Sequence, residues 1–242
     1  MELKIFGKGF NFSQDGPGNR LVYHLKGCNM RCPWCSNPEG MLPEKGNFYT
    51  LSTEEIVNEA TLSIPMFFEG GGVTFTGGEA TLQFEGLLHT AKMLREKGIS
   101  VAIETNGTAT KLPELFPYLN HLIIDLKHPD DKIHKQITGV SNQITKQNIL
   151  KAAECEMDML IRIPLIGGFN SSEEDLKAFV EFLAQTNGSN VRVEVLKYHE
   201  YGKDKWEKCG LEYTMKDAFV TENQRTELEN ALKNAGITVI RT

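Results

Sequence analysis

The sequence predicts an α/β fold in which a mostly parallel sheet is covered by helices. Short apolar runs rich in Val, Ile and Leu, each bounded by Gly, Asn or Pro, have the composition of strands buried on both faces. Amphipathic helical segments lie between these runs, and such alternation is typical of parallel strands joined by helical crossovers. The predicted strands are Leu21–Lys26, Val73–Thr76, Ile99–Glu104, His121–Leu126, Met159–Pro164, Val191–Leu196 and Thr238–Ile240.

Helix boundaries can be read from capping patterns and from the helical period of apolar residues. Capping boxes at Ser52–Glu55 and Ser171–Glu174 predict the starts of two helices, and the second of these is predicted to stop at Asn187-Gly188. An amphipathic helix is predicted from Phe84 to a stop at Lys97-Gly98, and two further helices over Gln143–Cys155 and Glu222–Asn234. The units would form either an open doubly wound sheet or a barrel that lacks some units. Both architectures place reactive groups at the carboxyl ends of the strands.

Length and composition indicate an ordinary globular protein. The 242 residues, 40% apolar and 9% aromatic, can bury a substantial core, and we expect a single domain over residues 1–242. A net charge of −6 argues against a nucleic-acid partner. No apolar run reaches the roughly 18 residues of a membrane span. The start lacks the plan of a signal peptide, so clustered thiols favour a reducing cytoplasm.

Three of the five cysteines lie in one segment, Cys28-Asn29-Met30-Arg31-Cys32-Pro33-Trp34-Cys35. Thiolates this close in sequence cannot all pair as disulfides, so the segment is typical of a site for zinc, copper(I) or an iron–sulfur cluster. Because three thiolates leave one position open, a 4Fe-4S cube here would have an iron that can take an exogenous ligand. The alternative is a Cys₃His zinc site, with His24 or a more distant histidine as fourth ligand. Cys155 and Cys209 have no neighbouring thiol and are expected to be inert.

Glycine and polar residues follow the other predicted strands. Gly77-Gly78-Glu79 combines glycines that admit close approach of a ligand with a carboxylate that could accept from an ammonium group. Glu104-Thr105 and Asp125-Leu126-Lys127 end neighbouring strands, so their oxygens could hold a hard cation or a ligand's polar groups. Arg162 lies in an apolar strand, where an unpaired charge is costly to bury, so it needs an anionic partner from the protein or a ligand. His199 follows the next strand. Each feature taken alone is also explained by a turn or a surface charge.

In combination these motifs resemble the radical S-adenosylmethionine superfamily, and within it the activating enzymes of glycyl radical enzymes, of the pyruvate formate-lyase type. The cysteine motif and Gly77-Gly78-Glu79 specify the superfamily, whereas the Asp15–Gly18 turn and the Tyr198–Trp206 region favour the subgroup. The matching stretches are Asp15–Gly18, Cys28–Cys35, Gly71–Gln83, Glu104–Gly107, Asp125–His128, Thr138–Asn142 and Tyr198–Trp206. The resemblance implies a laterally open, partial (β/α)₆ barrel similar to a TIM barrel.

The resemblance also implies a role for each matching residue. Cys28, Cys32 and Cys35 would bind one 4Fe-4S cluster, whose fourth iron would be chelated by the amino and carboxylate groups of S-adenosylmethionine. The residues expected to bind S-adenosylmethionine are Trp34, Ser36, Gly77, Gly78, Glu79, Asp125, Leu126, Lys127, Arg162 and His199. A monovalent cation would be bound by Glu104, Thr105, the Ile123 backbone and Asp125.

The chain departs from the family's pattern in four places. Ser36 and Glu104 stand where the pyruvate formate-lyase type has His and Asp, and Gly167-Gly168 replaces a Pro-Gly. No cysteine lies between Ser36 and Gly72, where many relatives carry a ferredoxin-like insert. Without an auxiliary cluster, electrons would reach the single cluster directly from a flavodoxin or ferredoxin.

The activity implied by the resemblance is hydrogen abstraction from a partner protein. Reductive cleavage of S-adenosylmethionine would give a 5′-deoxyadenosyl radical, which takes a hydrogen atom from a backbone glycine of a glycyl radical enzyme. No residue is required as a general acid or base, because the cofactors carry the bond cleavage. The alternatives are a radical enzyme acting on a small molecule, similar to the carboxy-deazaguanine synthases, and a non-enzymatic zinc or electron-transfer module. The Asp15–Gly18 turn and the His199 region are typical of the activating-enzyme subgroup and so disfavour the small-molecule enzyme.

Overall fold

The structure is a computed structural model that describes residues 1–42, 45–186 and 190–242. Its strands are β1 (Glu2–Phe12), β2 (Asn19–Leu25), β3 (Tyr49–Ser52), β4 (Gly72–Gly77), β5 (Val101–Thr105), β6 (His121–Asp125), β7 (Met159–Leu165), β8 (Val191–Lys197) and β9 (Thr238–Ile240). Its α-helices are α1 (Thr53–Leu62), α2 (Phe84–Glu96), α3 (Asp131–Thr138), α4 (Gln143–Glu154), α5 (Glu173–Leu183), α6 (Lys203–Lys208) and α7 (Glu222–Asn234). Short 3₁₀ turns occupy Pro38–Gly40, Ile64–Met66, Ala80–Gln83, Leu112–Glu114 and Phe116–Tyr118.

The described strands hydrogen-bond in the order β3-β1-β2-β4-β5-β6-β7-β8-β9. β1 runs antiparallel to both of its neighbours, whereas β2 with β4, β4 with β5, β7 with β8 and β8 with β9 pair in parallel. The order begins at β3 and ends at β9 without returning to its start, so the sheet is open. The predicted α/β class with an open, mostly parallel sheet is therefore confirmed.

The predicted strands are all present, with ends that differ from the prediction by at most two residues. β1 and β3 were not predicted. Most of β1 beyond Phe6 is exposed and β3 has no buried residue, so neither shows the apolar run of a strand covered on both faces. The Asp15–Gly18 turn joins β1 to β2, and the Ser13 N–H closes it by donating to the Gly18 carbonyl at 3.0 Å.

The helix predictions need two corrections, and one predicted helix stop is not tested. The capping box at Ser52 and Glu55 is confirmed, but the second box lies one residue later than predicted, at Ser172 and Asp175. The short helices α3 and α6 were not predicted. α5 ends at Leu183, and the predicted stop at Asn187-Gly188 lies outside the described residues. None of the described helices is both long and apolar enough to cross a bilayer.

By its internal packing the chain divides into two compact units. The first comprises Met1–Asn29, Asn37–Thr105 and Lys111–Ile123. In its core the Tyr23 ring of β2 stacks on the Phe75 ring of β4, with centroids 5.8 Å apart. The Tyr23 hydroxyl donates to Glu59 of α1 at 2.7 Å, which places α1 on that face of the sheet.

The second unit comprises Met30–Ser36, Asn106–Thr110 and Ile124–Thr242. β7 and β8 form its centre, and Ile161, Ile163, Val193 and Val195 are completely buried there. Helices α5 and α7 bury Phe179 and Leu228. In β7 six of the seven residues are buried, so both faces of this strand are covered, as its nearly continuous apolar sequence predicts.

Candidate cofactor site

In the first unit, two predicted motifs meet at the carboxyl ends of β2 and β4. Cys28 follows β2, and Gly77-Gly78-Glu79 ends β4 and begins the next connection. The Gly78 N–H donates to the Leu25 carbonyl at 2.9 Å, and the Glu79 N–H donates to the Gly27 carbonyl at 2.7 Å. The glycine motif is thus hydrogen-bonded to the backbone immediately before Cys28.

Both glycines are required by this close backbone approach. Gly77 has φ of +121°, in the region that favours glycine. A Cβ on Gly78 would lie 2.2 Å from the Gly27 carbonyl oxygen and 2.5 Å from that of Gly40. These contacts are with backbone atoms, which cannot rotate away. The motif therefore holds three chain segments together and is more than a plain strand-to-helix turn.

Glu79 is a buried, hydrogen-bonded carboxylate, only 1% exposed. Its Oε1 accepts from the Thr81 N–H at 3.0 Å, the Thr81 hydroxyl at 2.5 Å and the Thr105 hydroxyl at 2.6 Å. The bond from Thr105 links the end of β5 to the end of β4. Since Glu79 is neither exposed nor loosely held, the explanation of this residue as a surface charge is wrong.

The residues predicted to bind a cation already have protein partners. Glu104 accepts from the Thr76 hydroxyl at 2.8 Å, and Thr105 donates to Glu79. Ile123 is a buried residue of β6. In the second unit, Asp125 Oδ2 lies 2.7 Å from Lys127 Nζ. Among the residues that the structure describes, no group of three His, Cys, Asp or Glu side chains is arranged to hold a single metal ion. The cation site stays a prediction.

In the second unit, Cys32 and Cys35 lie in one tight segment. The Cys35 N–H donates to the Cys32 carbonyl at 3.1 Å. Burial raises the pKa of the Cys32 thiol to about 12; Lys127 opposes this shift, whereas Cys35 and Asp125 add to it. Cys32 is therefore a protonated thiol in the chain alone, and it must release its proton when a metal binds.

Two other sequence motifs are hydrogen-bonded to this cysteine segment. The Arg31 N–H donates to the carbonyl of Thr138, the first residue of the Thr138–Asn142 motif, at 2.9 Å. On the other side, the Trp206 indole N–H donates to the Cys35 carbonyl at 2.8 Å. Thr138 and Trp206 both belong to stretches that the sequence analysis identified as motifs. The structure shows that these two stretches contact the cysteine segment.

The aromatic residue of the motif, Trp34, is buried against the protein. Its ring lies 4.8 Å from the Phe169 ring, and Phe169 in turn lies 5.2 Å from the His128 ring. Ser36, the next predicted contact, is half-buried. Contact of either residue with a cofactor stays a prediction.

The remaining predicted residues lie just after β6, within β7 and just after β8. The Leu126 N–H donates to the Arg162 carbonyl at 2.9 Å. Arg162 Nε lies 3.1 Å from Glu194 Oε2, and both side chains are buried, so the anionic partner of this arginine is a protein carboxylate. The His199 ring stacks on the ring of the exposed Tyr201 at 4.1 Å.

Sequence reasoning missed Asn170 and Glu194 as parts of this region. Asn170 is completely buried; its amide donates to the carbonyls of Lys127 and Pro164, both at 2.8 Å, so it ties the end of β6 to the end of β7. Glu194 lies within β8, where an alternating pattern would have marked it as solvent-facing. A buried arginine on the adjacent strand was the only signal that could have found it.

The other residues considered as ligands lie elsewhere. His24 is on β2, with its ring 5.6 Å from the Phe6 ring. Cys155 is exposed at the end of α4, and Cys209 is half-buried at the end of α6. No disulfide joins the described cysteines.

Comparison with known proteins identifies relatives over nearly the whole chain. The model of the Radical SAM superfamily matches residues 22–183. The pyruvate formate-lyase-activating enzyme of Clostridium pasteurianum is 35% identical over 224 residues, which cover 90% of this chain and 92% of that protein. The pyruvate formate-lyase 1-activating enzyme of Escherichia coli is 32% identical, with coverages of 88% and 89%. The choline trimethylamine-lyase activating enzyme of Oleidesulfovibrio alaskensis is 30% identical, with coverages of 82% and 84%.

Solved structures agree with the sequence relatives. A domain of a pyruvate-formate lyase-activating enzyme from Bacteroides vulgatus superposes with a TM-score of 0.57 at 30% identity, covering 70% of this chain and 98% of that one. A radical SAM methyltransferase from Sphaerobacter thermophilus superposes with a TM-score of 0.66 over 99% of this chain and 75% of that one, and at 15% identity this likeness concerns the fold alone. The chain therefore belongs to the radical S-adenosylmethionine superfamily and, within it, to the activating enzymes of glycyl radical enzymes.

Proposed function

We propose that this chain activates a partner glycyl radical enzyme by removing a hydrogen atom from one of its backbone glycines. The observation that carries the proposal is the cysteine segment Cys28–Cys35, with its C-x₃-C-x₂-C spacing, in a chain 35% identical to a pyruvate formate-lyase-activating enzyme. The same relatives favour this function over a radical enzyme that acts on a small molecule. The family's cofactors are a 4Fe-4S cluster and S-adenosylmethionine.

The donor set of this chain fits those cofactors. The three cysteines of the segment are not joined by disulfides, and Cys32 is buried, away from competing water. Thiolates are the ligands that an iron–sulfur cluster requires, and three of them leave one iron for the nucleotide. When bound, the two cofactors supply homolytic hydrogen abstraction, which no acid or base on the protein could perform.

The protein's own contribution in this proposal is to hold groups in place. Gly77 and Gly78 present backbone, and Glu79 presents a carboxylate held by two threonines, at the proposed position of the methionine amino group. Asp125 and Lys127 form an ion pair beside Cys32. Arg162 has its counter-charge in Glu194, so it does not need the carboxylate of the cofactor for neutralisation. Fixed positioning matters because the hydrogen abstraction that the bound cofactors would supply could act on any C–H bond that lies close enough.

The electron donor in this proposal is a flavodoxin or a ferredoxin. This is supported by the lack of any cysteine between Ser36 and Gly72, which leaves no ligands for an auxiliary cluster there. We also propose a cytoplasmic location, which the clustering of three thiols within eight residues supports.

The direct test is radical formation on a partner. The chain would be reconstituted anaerobically with iron and sulfide, reduced, and mixed with S-adenosylmethionine and candidate glycyl radical enzymes. We expect a protein-based organic radical in the electron paramagnetic resonance spectrum of one mixture. Cleavage of S-adenosylmethionine without a radical on any partner, together with turnover of a small molecule, would contradict the proposal.

Replacing Cys32 with alanine tests the ligand set. We expect Cys32→Ala to lower reductive S-adenosylmethionine cleavage by at least about 100-fold, since loss of a ligand should cost more than loss of an outer-shell partner. Iron content and cleavage rate would be measured together. The matched control is Cys155→Ala, at an exposed position, which should keep both values. A Cys32→Ala protein that retained its cluster and its cleavage rate would show that the assignment is wrong.

A further inference from the structure

The indole of Trp206 forms a long-range contact that the proposed function does not explain. Its Nε1–H donates to the Cys35 carbonyl oxygen at 2.8 Å, across 171 positions of sequence. Trp206 is only 8% exposed, and it belongs to the short helix α6. A buried indole N–H needs an acceptor. Burial alone does not explain why that acceptor is the backbone carbonyl of a proposed cluster ligand.

We propose that Trp206 is a positioning residue for Cys35, holding this cysteine in the orientation in which it binds the cluster. The inference rests on the proposed function, because it assumes that Cys35 is a cluster ligand. Trp206 itself touches neither cofactor in this proposal. It acts through the backbone of Cys35.

The backbone of Cys35 is held at both of its polar groups. Its N–H donates to the Cys32 carbonyl at 3.1 Å, and its carbonyl accepts from Trp206. With both groups engaged, the peptide planes on either side of Cys35 are fixed, and the direction of the Cα–Cβ bond follows from them. Removing the indole N–H would leave a carbonyl without this partner and would release one of the two restraints.

Gly202 supports the same contact from the start of α6. A Cβ at this position would lie 2.7 Å from the Cys35 carbonyl oxygen and 2.7 Å from the Ser36 Cα. The φ of Gly202 is −85°, so backbone conformation does not require glycine here. What requires it is the close packing of this turn against the cysteine segment.

The indole ring is also held by contacts outside the cysteine segment. Its ring meets the Tyr213 ring edge-on at 5.6 Å, and the hydroxyls of Tyr213 and Tyr198 lie 2.7 Å apart. The Tyr198 N–H donates to the Leu165 carbonyl at 3.0 Å, at the end of β7. A donor held this way can orient a neighbouring segment, because it does not move with that segment.

The test separates the N–H from the ring. Trp206→Phe keeps an aromatic ring and removes the donor, whereas Gly202→Ala pushes on the same cysteine segment by a different route. Tyr118→Phe is the matched control, since it also removes one polar group from an aromatic side chain, on a 3₁₀ turn where the ring contacts Lys92. Thermal unfolding of each protein without cofactors reports whether folding is intact.

Two readouts do not depend on activity. In the reconstituted proteins, we expect iron release to a chelator to be on the order of 10-fold faster for Trp206→Phe and Gly202→Ala than for wild type, the effect typical of losing an outer-shell partner. The electron paramagnetic resonance spectrum of the reduced cluster should change shape in both variants and stay unchanged in Tyr118→Phe. Equal release rates and identical spectra in Trp206→Phe and wild type would overturn the inference.

A cofactor-free arm keeps the test independent of the proposed function. In the unloaded chain, alkylation of Cys35 by iodoacetamide should be faster in Trp206→Phe than in wild type, while alkylation of the exposed Cys155 stays equal and controls for the reactivity of the reagent. An unchanged Cys35 rate would contradict the inference. If the wild-type protein takes up no 4Fe-4S cluster, the proposed function fails, and this arm still reports on the contact.

Discussion

Arg20 is a guanidinium buried at the amino ends of β2 and β4, with no exposed surface. Its Nε donates to the Thr74 hydroxyl at 2.6 Å, and its terminal nitrogens donate to backbone carbonyls that include Pro17 and Val73. Burial lowers its pKa to about 10, and the charge of Asp15 opposes this shift. Because Pro17 and Asp15 belong to the Asp15–Gly18 turn, Arg20 locks that turn to β4.

Replacing Arg20 with methionine should destabilise the protein by about 3 kcal/mol or more, because several buried carbonyls would lose their donor. The change in the free energy of unfolding would be measured by urea unfolding monitored by circular dichroism. The control is Arg95→Met, whose exposed guanidinium bonds only the Asn120 amide oxygen at 2.9 Å among the contacts described, and which should cost less than about 1 kcal/mol. Similar unfolding midpoints for both variants would contradict the structural role of Arg20.

At the scale of elements, the connection after β4 is built from backbone packed on backbone. Gly78 lies between the Gly27 and Gly40 carbonyls, and its N–H extends the pairing of β4 with β2. This arrangement fixes the position of Glu79 relative to the residue before Cys28. The sequence marked the glycines as a place of close approach, but it gave no sign that Gly40 was one of the partners.

Substituting Gly78 with alanine should lower stability by about 1 to 3 kcal/mol, the range seen when atoms are forced into a packed site. It should also lower iron uptake, since the segment before Cys28 must shift to admit the new carbon. Gly9→Ala is the matched control in β1, because nothing lies within 4 Å of its added Cβ. Chemical denaturation and iron analysis of the two variants check the prediction, and a stable, fully loaded Gly78→Ala protein would contradict it.

At the scale of the whole molecule, the chain divides into two compact units by its internal packing. The boundary falls between Ile123 and Ile124 inside β6, and again between Asn29 and Met30 inside the cysteine motif. The single domain over residues 1–242 therefore stays a prediction, and one cooperative urea transition would support it.

The stability of the protein should fall as the pH drops from about 7 towards 5. His128 Nδ1 accepts from the Asp130 N–H at 2.9 Å, and its Nε2 lies 3.0 Å from Asp175, so the folded protein holds the neutral ring. Burial lowers the pKa of His128 and of His134. Below about pH 6.5 the unfolded chain takes up protons that the folded protein excludes, and the free energy of unfolding decreases.

The measurement is the urea midpoint between pH 7.5 and 5. His128→Gln should weaken the pH dependence, whereas His89→Gln, on the half-buried part of α2 away from these contacts, should keep the wild-type slope. Stability that rises towards pH 5 in the wild type would contradict the assigned direction of the two pKa shifts.

The sequence by itself determined seven of the nine described strands, five of the seven described α-helices and the spacing of the clustered thiols, and the family resemblance of its motifs indicated the class of cofactor. It could do so because burial on both faces, helix caps and the spacing of thiols are local properties of a chain. Only the tertiary structure decided which distant groups hold those residues: Trp206 on Cys35, Thr105 on Glu79, and Glu194 on Arg162. Such partners depend on the order and register of strands, and these are set by the packing of the whole chain.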